Sequence, residues 1–122
     1  MPDGPSRAYH HGNLRAELIE QAVMQLRDTP PEQLSLRAVA RALGVSQTAP
    51  YRHFADKEAL LVALSTRGYA SLLRDLRAAR ARAGDAGADQ LRAVARAYVD
   101  FAATEEQLFK LMFGPLAQPS AR

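Results

Sequence analysis

The stretch from residue 35 to residue 54 constrains the fold more than any other part of the sequence. Ser35 is a favourable N-cap, and apolar residues follow it at helical spacing. Gly44 stands where a helix end favours a left-handed residue, and Val45 supplies one apolar side chain in the turn. Ser46 is a candidate cap for a second short helix, roughly Gln47 to Phe54. Two short helices joined through a glycine turn predict a helix-turn-helix. The inner face of the first helix is Leu36, Val39, Ala40 and Leu43.

The second short helix presents side chains that form hydrogen bonds but bury little apolar area. These are Gln47, Thr48, Tyr51 and Arg52. A short helix braced from behind, with such side chains near its N-terminus, suits the major groove of DNA. Pro50 removes an amide that a helix capped by Ser46 would need, so we favour a start at Thr48.

Composition indicates an all-α fold. Ala occurs 24 times and Leu 16 times, against six Val and one Ile, and strands favour β-branched residues. The absence of Cys excludes a disulfide scaffold, a thiol nucleophile and a Cys-ligated zinc site. No segment is long and apolar enough for a membrane span, and the N-terminus lacks a secretory signal, so we expect a cytoplasmic protein with no membrane partner.

Charge is concentrated in the helix-turn-helix segment. The formal net charge of the chain is only +3, which permits a nucleic-acid partner without requiring one. Between Ser35 and Lys57, however, there are four cationic residues and a single acid, Asp56.

Residues 1–8 show no periodicity and predict a flexible arm. Outside the motif, the sequence predicts helices over 13–27, 57–83, 88–104 and 106–113. The helix over 57–83 is capped by Asp56, and its inward residues are Leu60, Leu61, Leu64, Gly68, Leu72, Leu73 and Leu76. The inward residues of the helix over 88–104 are Leu91, Val94, Ala95, Tyr98, Val99 and Ala102.

Four blocks of this sequence together resemble the DNA-binding domain of TetR/AcrR-family transcriptional regulators. They are residues 9–15 (YHHGNLR), 35–40 (SLRAVA), 44–46 (GVS) and 49–61 (APYRHFADKEALL). A later block, residues 107–114 (QLFKLMFG), is similar to the start of the ligand-binding domain in one branch of that family. After the arm predicted over 1–8, the resemblance implies a three-helix DNA-binding head over 9–56 and a linking helix with a partial ligand-binding or dimerisation domain over 57–122.

The resemblance also implies roles for individual residues. The family would bind a palindromic operator in double-stranded DNA as a homodimer, and a small apolar ligand would release it. No cofactor is implied. The expected DNA-binding residues are Ser35, Arg37, Ser46, Gln47, Thr48, Ala49, Tyr51, Arg52, His53 and Lys57; the expected ligand-binding residues are Tyr98, Phe109, Met112 and Phe113.

Other functions remain as alternatives. Family members usually continue for several more helices, so this chain could instead be a truncated interaction module that pairs with other chains through residues 88–113 and does not respond to ligand. We expect no enzyme, because no nucleophile–base pair, no paired carboxylates and no phosphate loop are visible. We expect no metal site, because His10 and His11 are adjacent and would point apart.

Overall fold

The fold is built from helices joined by short turns. The computed structural model describes residues 13–114, and it contains no strand in that range, which confirms the all-α prediction. The predicted arm over residues 1–8 lies outside the described residues. The helices of the described range are α1 (Leu14–Leu26), α2 (Leu36–Leu43), α3 (Lys57–Arg82), α4 (Gly87–Thr104) and α5 (Glu106–Met112), with single 3-10 turns at Pro31–Gln33 and Ala49–Arg52.

Local sequence signals fix the ends of the helices in the head. The Ser35 hydroxyl accepts a hydrogen bond from the Ala38 amide at 3.0 Å, and the Asp56 carboxylate accepts one from the Ala59 amide at 2.9 Å. Gly44 ends α2 with φ 75°, the left-handed conformation that glycine adopts without strain. These three predictions from sequence are confirmed.

The cap on α2 can be tested by mutation. We expect Ser35→Ala to lower the free energy of unfolding by about 1 kcal/mol, because the Ala38 amide loses its acceptor. Urea unfolding followed by circular dichroism measures the change. Ser35→Asp keeps an acceptor oxygen and should retain most of the stability. Equal losses in the two variants would contradict the capping role.

One hydrophobic core holds the described helices together. Leu18 of α1 and Leu60 and Leu64 of α3 are fully buried, and Phe54 closes the same core from the helix-turn-helix side. Leu108 and Met112 of α5 belong to this core as well. The helix-turn-helix therefore packs against the long helix α3, and α3 packs against α5.

The second helix of the motif is shorter than predicted. Instead of a helix over residues 47–54, the structure has a four-residue 3-10 turn, Ala49–Arg52, preceded by Thr48. The turn begins at Ala49, one residue after the predicted start at Thr48, and the predicted length is wrong. Pro50 has no amide hydrogen to donate. The amides of His53 and Phe54 both donate to the Pro50 carbonyl oxygen, and the 3-10 turn ends at Arg52.

The predicted inner face of α4 is also wrong. Leu91 is 72% exposed and Val99 is 63% exposed, whereas Phe101 is the buried residue of this helix. The apolar residues of α4 form two overlapping stripes, and the structure buries the stripe that contains Phe101. On α3, Leu73 is likewise exposed while Leu72 is buried, because adjacent residues of a helix point in different directions. Within residues 13–114, no helix is both long enough and apolar enough to cross a membrane.

Candidate nucleic-acid interface

The recognition segment, which we define as residues 46–53, is held from behind by buried apolar groups. Ala49 and Pro50 are buried on its inner side, and Phe54 directly after it is only 2% exposed. The Arg15 guanidinium lies 5.2 Å from the centre of the Phe54 ring, a cation–π contact from α1. The core therefore sets the position of this segment, whose single 3-10 turn could not form alone.

The outer side of the segment presents polar and cationic side chains. Gln47, Thr48, Tyr51, Arg52 and His53 are all exposed. They include a guanidinium and an amide, the groups that read guanine and adenine edges bidentately in the major groove. The structure thus brings five of the predicted DNA-binding residues onto one short, exposed segment.

Ala49 differs from its neighbours in this segment. Its side chain is 7% exposed and belongs to the hydrophobic core. Its methyl group contributes to the surface that holds the segment against the core. The structure places the Ala49 side chain in the core, and its contact with DNA stays a prediction.

Ser46 organises the start of the recognition segment. Its hydroxyl accepts a hydrogen bond from the Thr48 amide at 3.2 Å and lies 2.9 Å from the Thr48 hydroxyl. This local turn fixes where the Thr48 side chain points. Ser46 is exposed, so it retains hydrogen-bonding capacity toward a phosphate while it shapes the turn.

Three further predicted residues, Ser35, Arg37 and Lys57, lie at the starts of the two neighbouring helices. Arg37 is exposed in the first turn of α2, beyond Ser35, whose hydroxyl oxygen is occupied by the α2 cap. Lys57 begins α3 and donates from Nζ to the Glu32 carbonyl oxygen at 3.0 Å. An ammonium group has three donors, so two remain for a phosphate. Glu32 contributes through its backbone, and no side-chain pattern in the sequence could have marked it.

The predicted ligand-binding residues lie in the last two described helices, α4 and α5, and directly after α5. The Tyr98 and Phe109 rings meet edge to face with centroids 5.7 Å apart, and the Phe109 and Phe113 centroids are 4.9 Å apart. Tyr69 of α3, which the sequence did not single out, joins Phe113 at 5.3 Å and donates from its hydroxyl to the Met112 carbonyl oxygen at 2.9 Å. We call these four rings the aromatic cluster.

Met112 occupies a different environment from the aromatic cluster. Its side chain is 2% exposed and packs against α3 at Gly68. The structure therefore places Met112 in the hydrophobic core, apart from the partly exposed rings. Within residues 13–114, no three His, Asp or Glu side chains gather in a way that could hold a metal ion.

Comparison with known proteins places this geometry in a family. Residues 18–64 match the family model for bacterial regulatory proteins of the tetR family. The HTH-type transcriptional regulator Rv1816 of Mycobacterium tuberculosis is 33% identical over 102 residues, which are 83% of this chain and 44% of that protein. An HTH-type transcriptional regulator of Haemophilus influenzae is 31% identical over 107 residues, which are 87% of this chain and 52% of that protein.

A solved structure agrees with the sequence matches. A protein of unknown function from Rhodococcus sp. RHA1 superposes with a TM-score of 0.80 at 40% identity, over 93% of this chain and 59% of that one. The chain spans about half the length of the curated relatives it matches. The matched residues include the recognition segment, as well as α2 and its glycine turn. The chain therefore belongs to the TetR family of bacterial regulatory proteins, through the helix-turn-helix domain that it carries.

Proposed function

We propose that this protein is a sequence-specific DNA-binding transcriptional repressor that inserts the recognition segment into the major groove. One observation carries the proposal: an exposed row of polar and cationic side chains stands on a segment whose back is buried in the core. Arg52 and Gln47 read base edges, while Tyr51, His53 and Lys57 contact phosphates. In this proposal residues 9–56 form the DNA-binding unit, and the protein acts in the cytoplasm.

The proposal includes a dimer on a palindromic operator. Two recognition segments would then lie about 34 Å apart, or a multiple of that distance, to reach successive major grooves on one side of the duplex. A small ligand bound in the helices that follow the head would release the operator by changing that spacing. Selection of sites from a randomised duplex pool at fixed salt tests the dimer, because only a dimer enriches an inverted repeat.

Two substitutions separate base reading from phosphate binding. We expect Arg52→Ala to weaken binding to the selected site by about 1–3 kcal/mol and to relax its base preference. We expect Lys57→Ala to weaken binding to all sequences alike and to lower the slope of log affinity against log salt by about 1. Fluorescence anisotropy titrations with the selected duplex and a scrambled duplex measure both effects.

A matched control removes the same charge elsewhere. Arg80 is an exposed residue near the far end of α3, and Arg80→Ala should leave both affinity and base preference close to wild type. If Arg52→Ala and Lys57→Ala behave like Arg80→Ala, the recognition segment is not the DNA-binding surface.

A second candidate function is an interaction module that pairs with other chains through residues 88–113. The exposed apolar side of α4 favours it, because Leu91, Tyr98 and Val99 are 72%, 40% and 63% exposed. Association through that surface would be insensitive to salt, whereas DNA binding weakens steeply as salt rises. Sedimentation of the chain alone over a salt series, compared with Leu91→Glu, tests this candidate.

A further inference from the structure

The side of the molecule where α1, α3 and α4 meet contains a cleft of about 380 Å³. Its floor is apolar and buried, formed by Val23, Phe101 and Leu108. None of the expected ligand-binding residues lines this cleft. It is therefore separate from the aromatic cluster and from the recognition segment.

Four arginines line the cleft, and two of them are already bonded. Arg27 of α1 donates from Nη2 to Glu105 at 2.8 Å, and Arg67 of α3 donates from Nη2 to Glu20 at 2.8 Å. Arg67 also contacts the buried Ser71 hydroxyl. The remaining two arginines are Arg74 and Arg82.

Neither Arg74 nor Arg82 forms a hydrogen bond or ion pair within the described residues, but only Arg74 is close enough for its charge to act on Glu20. Arg74 is therefore the guanidinium available beside this network. The Arg67 hydrogen bonds lower the pKa of Glu20, and the nearby charges of Arg74 and Arg27 lower it as well. Three guanidinium groups thus gather near two carboxylates, those of Glu20 and Glu105.

The acids of the cleft limit how much negative charge it accepts. Asp75 and Asp100 also line it, and together with Glu105 and with Glu20, which pairs with Arg67, four acidic side chains face the four arginines. A ligand with one negative charge would therefore bind at Arg74, which has no carboxylate partner among residues 13–114. A dianion such as phosphate or a dicarboxylate would meet repulsion from the aspartates.

We propose that this cleft binds a small organic monocarboxylate. Its carboxylate lies against Arg74, beside Arg27 and Arg67, and its hydrocarbon part lies on Ala78, Ala97 and the exposed edge of Phe101. A guanidinium and a carboxylate form paired, charge-assisted hydrogen bonds, and the half-buried alanines of the cleft supply apolar surface for the hydrocarbon part. If the protein is the DNA-binding repressor proposed above, the bound carboxylate competes with Glu105 for Arg27 and so acts between the head and the helices that follow it.

Calorimetric titration of the 122-residue chain without DNA tests the site independently of that function. The probe is hexanoate, with hexanamide as its uncharged counterpart and succinate as a dianion at equal ionic strength. We expect hexanoate to bind and the other two to bind at least about tenfold more weakly. No binding of hexanoate, or equal binding of hexanamide or succinate, would overturn the proposal.

Two variants and a mapping experiment sharpen the test. Arg74→Gln should weaken hexanoate binding about tenfold or more, and Arg77→Gln, an exposed residue of the same helix outside the cleft, should not. Circular dichroism checks that both variants fold. In amide NMR spectra of the wild-type chain, hexanoate should shift the signals of Ser71, Ala97 and Phe101. Shifts confined to Tyr98, Phe109 and Phe113 would instead assign the ligand to the aromatic cluster and refute the cleft.

DNA titrations then separate the two proposals. Hexanoate should lower the affinity of the wild-type chain for the selected duplex and should leave that of Arg74→Gln unchanged. A chain that binds hexanoate but no DNA sequence would refute the repressor and leave the site intact.

Discussion

Phe54→Ala is expected to lower the free energy of unfolding by about 3–5 kcal/mol. The Phe54 ring is 2% exposed and closes the core directly behind the recognition segment. Its removal leaves a cavity and also deprives the Arg15 guanidinium of the ring that it covers. Chemical unfolding at constant temperature, followed by circular dichroism, measures the loss.

The neighbouring aromatic residue provides the control for Phe54→Ala. Tyr51 lies three residues earlier and is 47% exposed. Tyr51→Ala should change stability by no more than about 0.5 kcal/mol, since it opens no cavity. It should still weaken DNA binding, because the hydroxyl is lost from the recognition segment. Equal destabilisation by the two variants would contradict the assignment of one ring to the core and the other to the surface.

Met112→Ala is expected to lower the free energy of unfolding by about 2–5 kcal/mol, because the side chain fills the space between α3 and α5. A methyl group added at Gly68 would meet the Met112 sulfur at 2.5 Å, so Gly68→Ala should also destabilise the protein. In the double variant Gly68→Ala with Met112→Ala, the new methyl group partly fills the cavity.

The double variant makes the Met112 prediction specific. Its total loss should be smaller than the sum of the two single losses, as expected for side chains in direct contact. Met24 of α1 is 55% exposed, and Met24→Ala should change stability by no more than about 0.5 kcal/mol. Additive losses at Gly68 and Met112 would show that the two helices do not pack as the structure describes.

Local signals in the sequence predicted the head because its structure depends on neighbouring residues. Ser35 and Asp56 cap helices through amides three residues away, and Gly44 ends α2 through its own backbone. The recognition segment could be placed for the same reason. Its form as a single 3-10 turn could not, because the length of the turn depends on how Pro50 and Phe54 pack into the core.

The parts that were mispredicted depend on contacts between residues far apart in the chain. Helix α4 has two possible apolar stripes, and only its packing against α3 decides that Phe101 is buried and Val99 exposed. The cleft was invisible for the same reason. Arg74 and Arg82 belong to an arginine-rich run that is typical of a solvated helix face, and only the approach of α1 and α4 turns them toward a common space.

The residues that match the family model do not have a hydrophobic core of their own, because they share it with residues outside the match. Residues 18–64 carry the recognisable motif, yet the core that supports it includes Leu108, Leu111 and Met112 of the last described helix. The bond from Arg27 to Glu105 closes a loop of 78 positions along the sequence. The hydrophobic core of the head is therefore complete only when these late residues are present. A head transplanted onto another regulator would need the matching surface of α5 to travel with it.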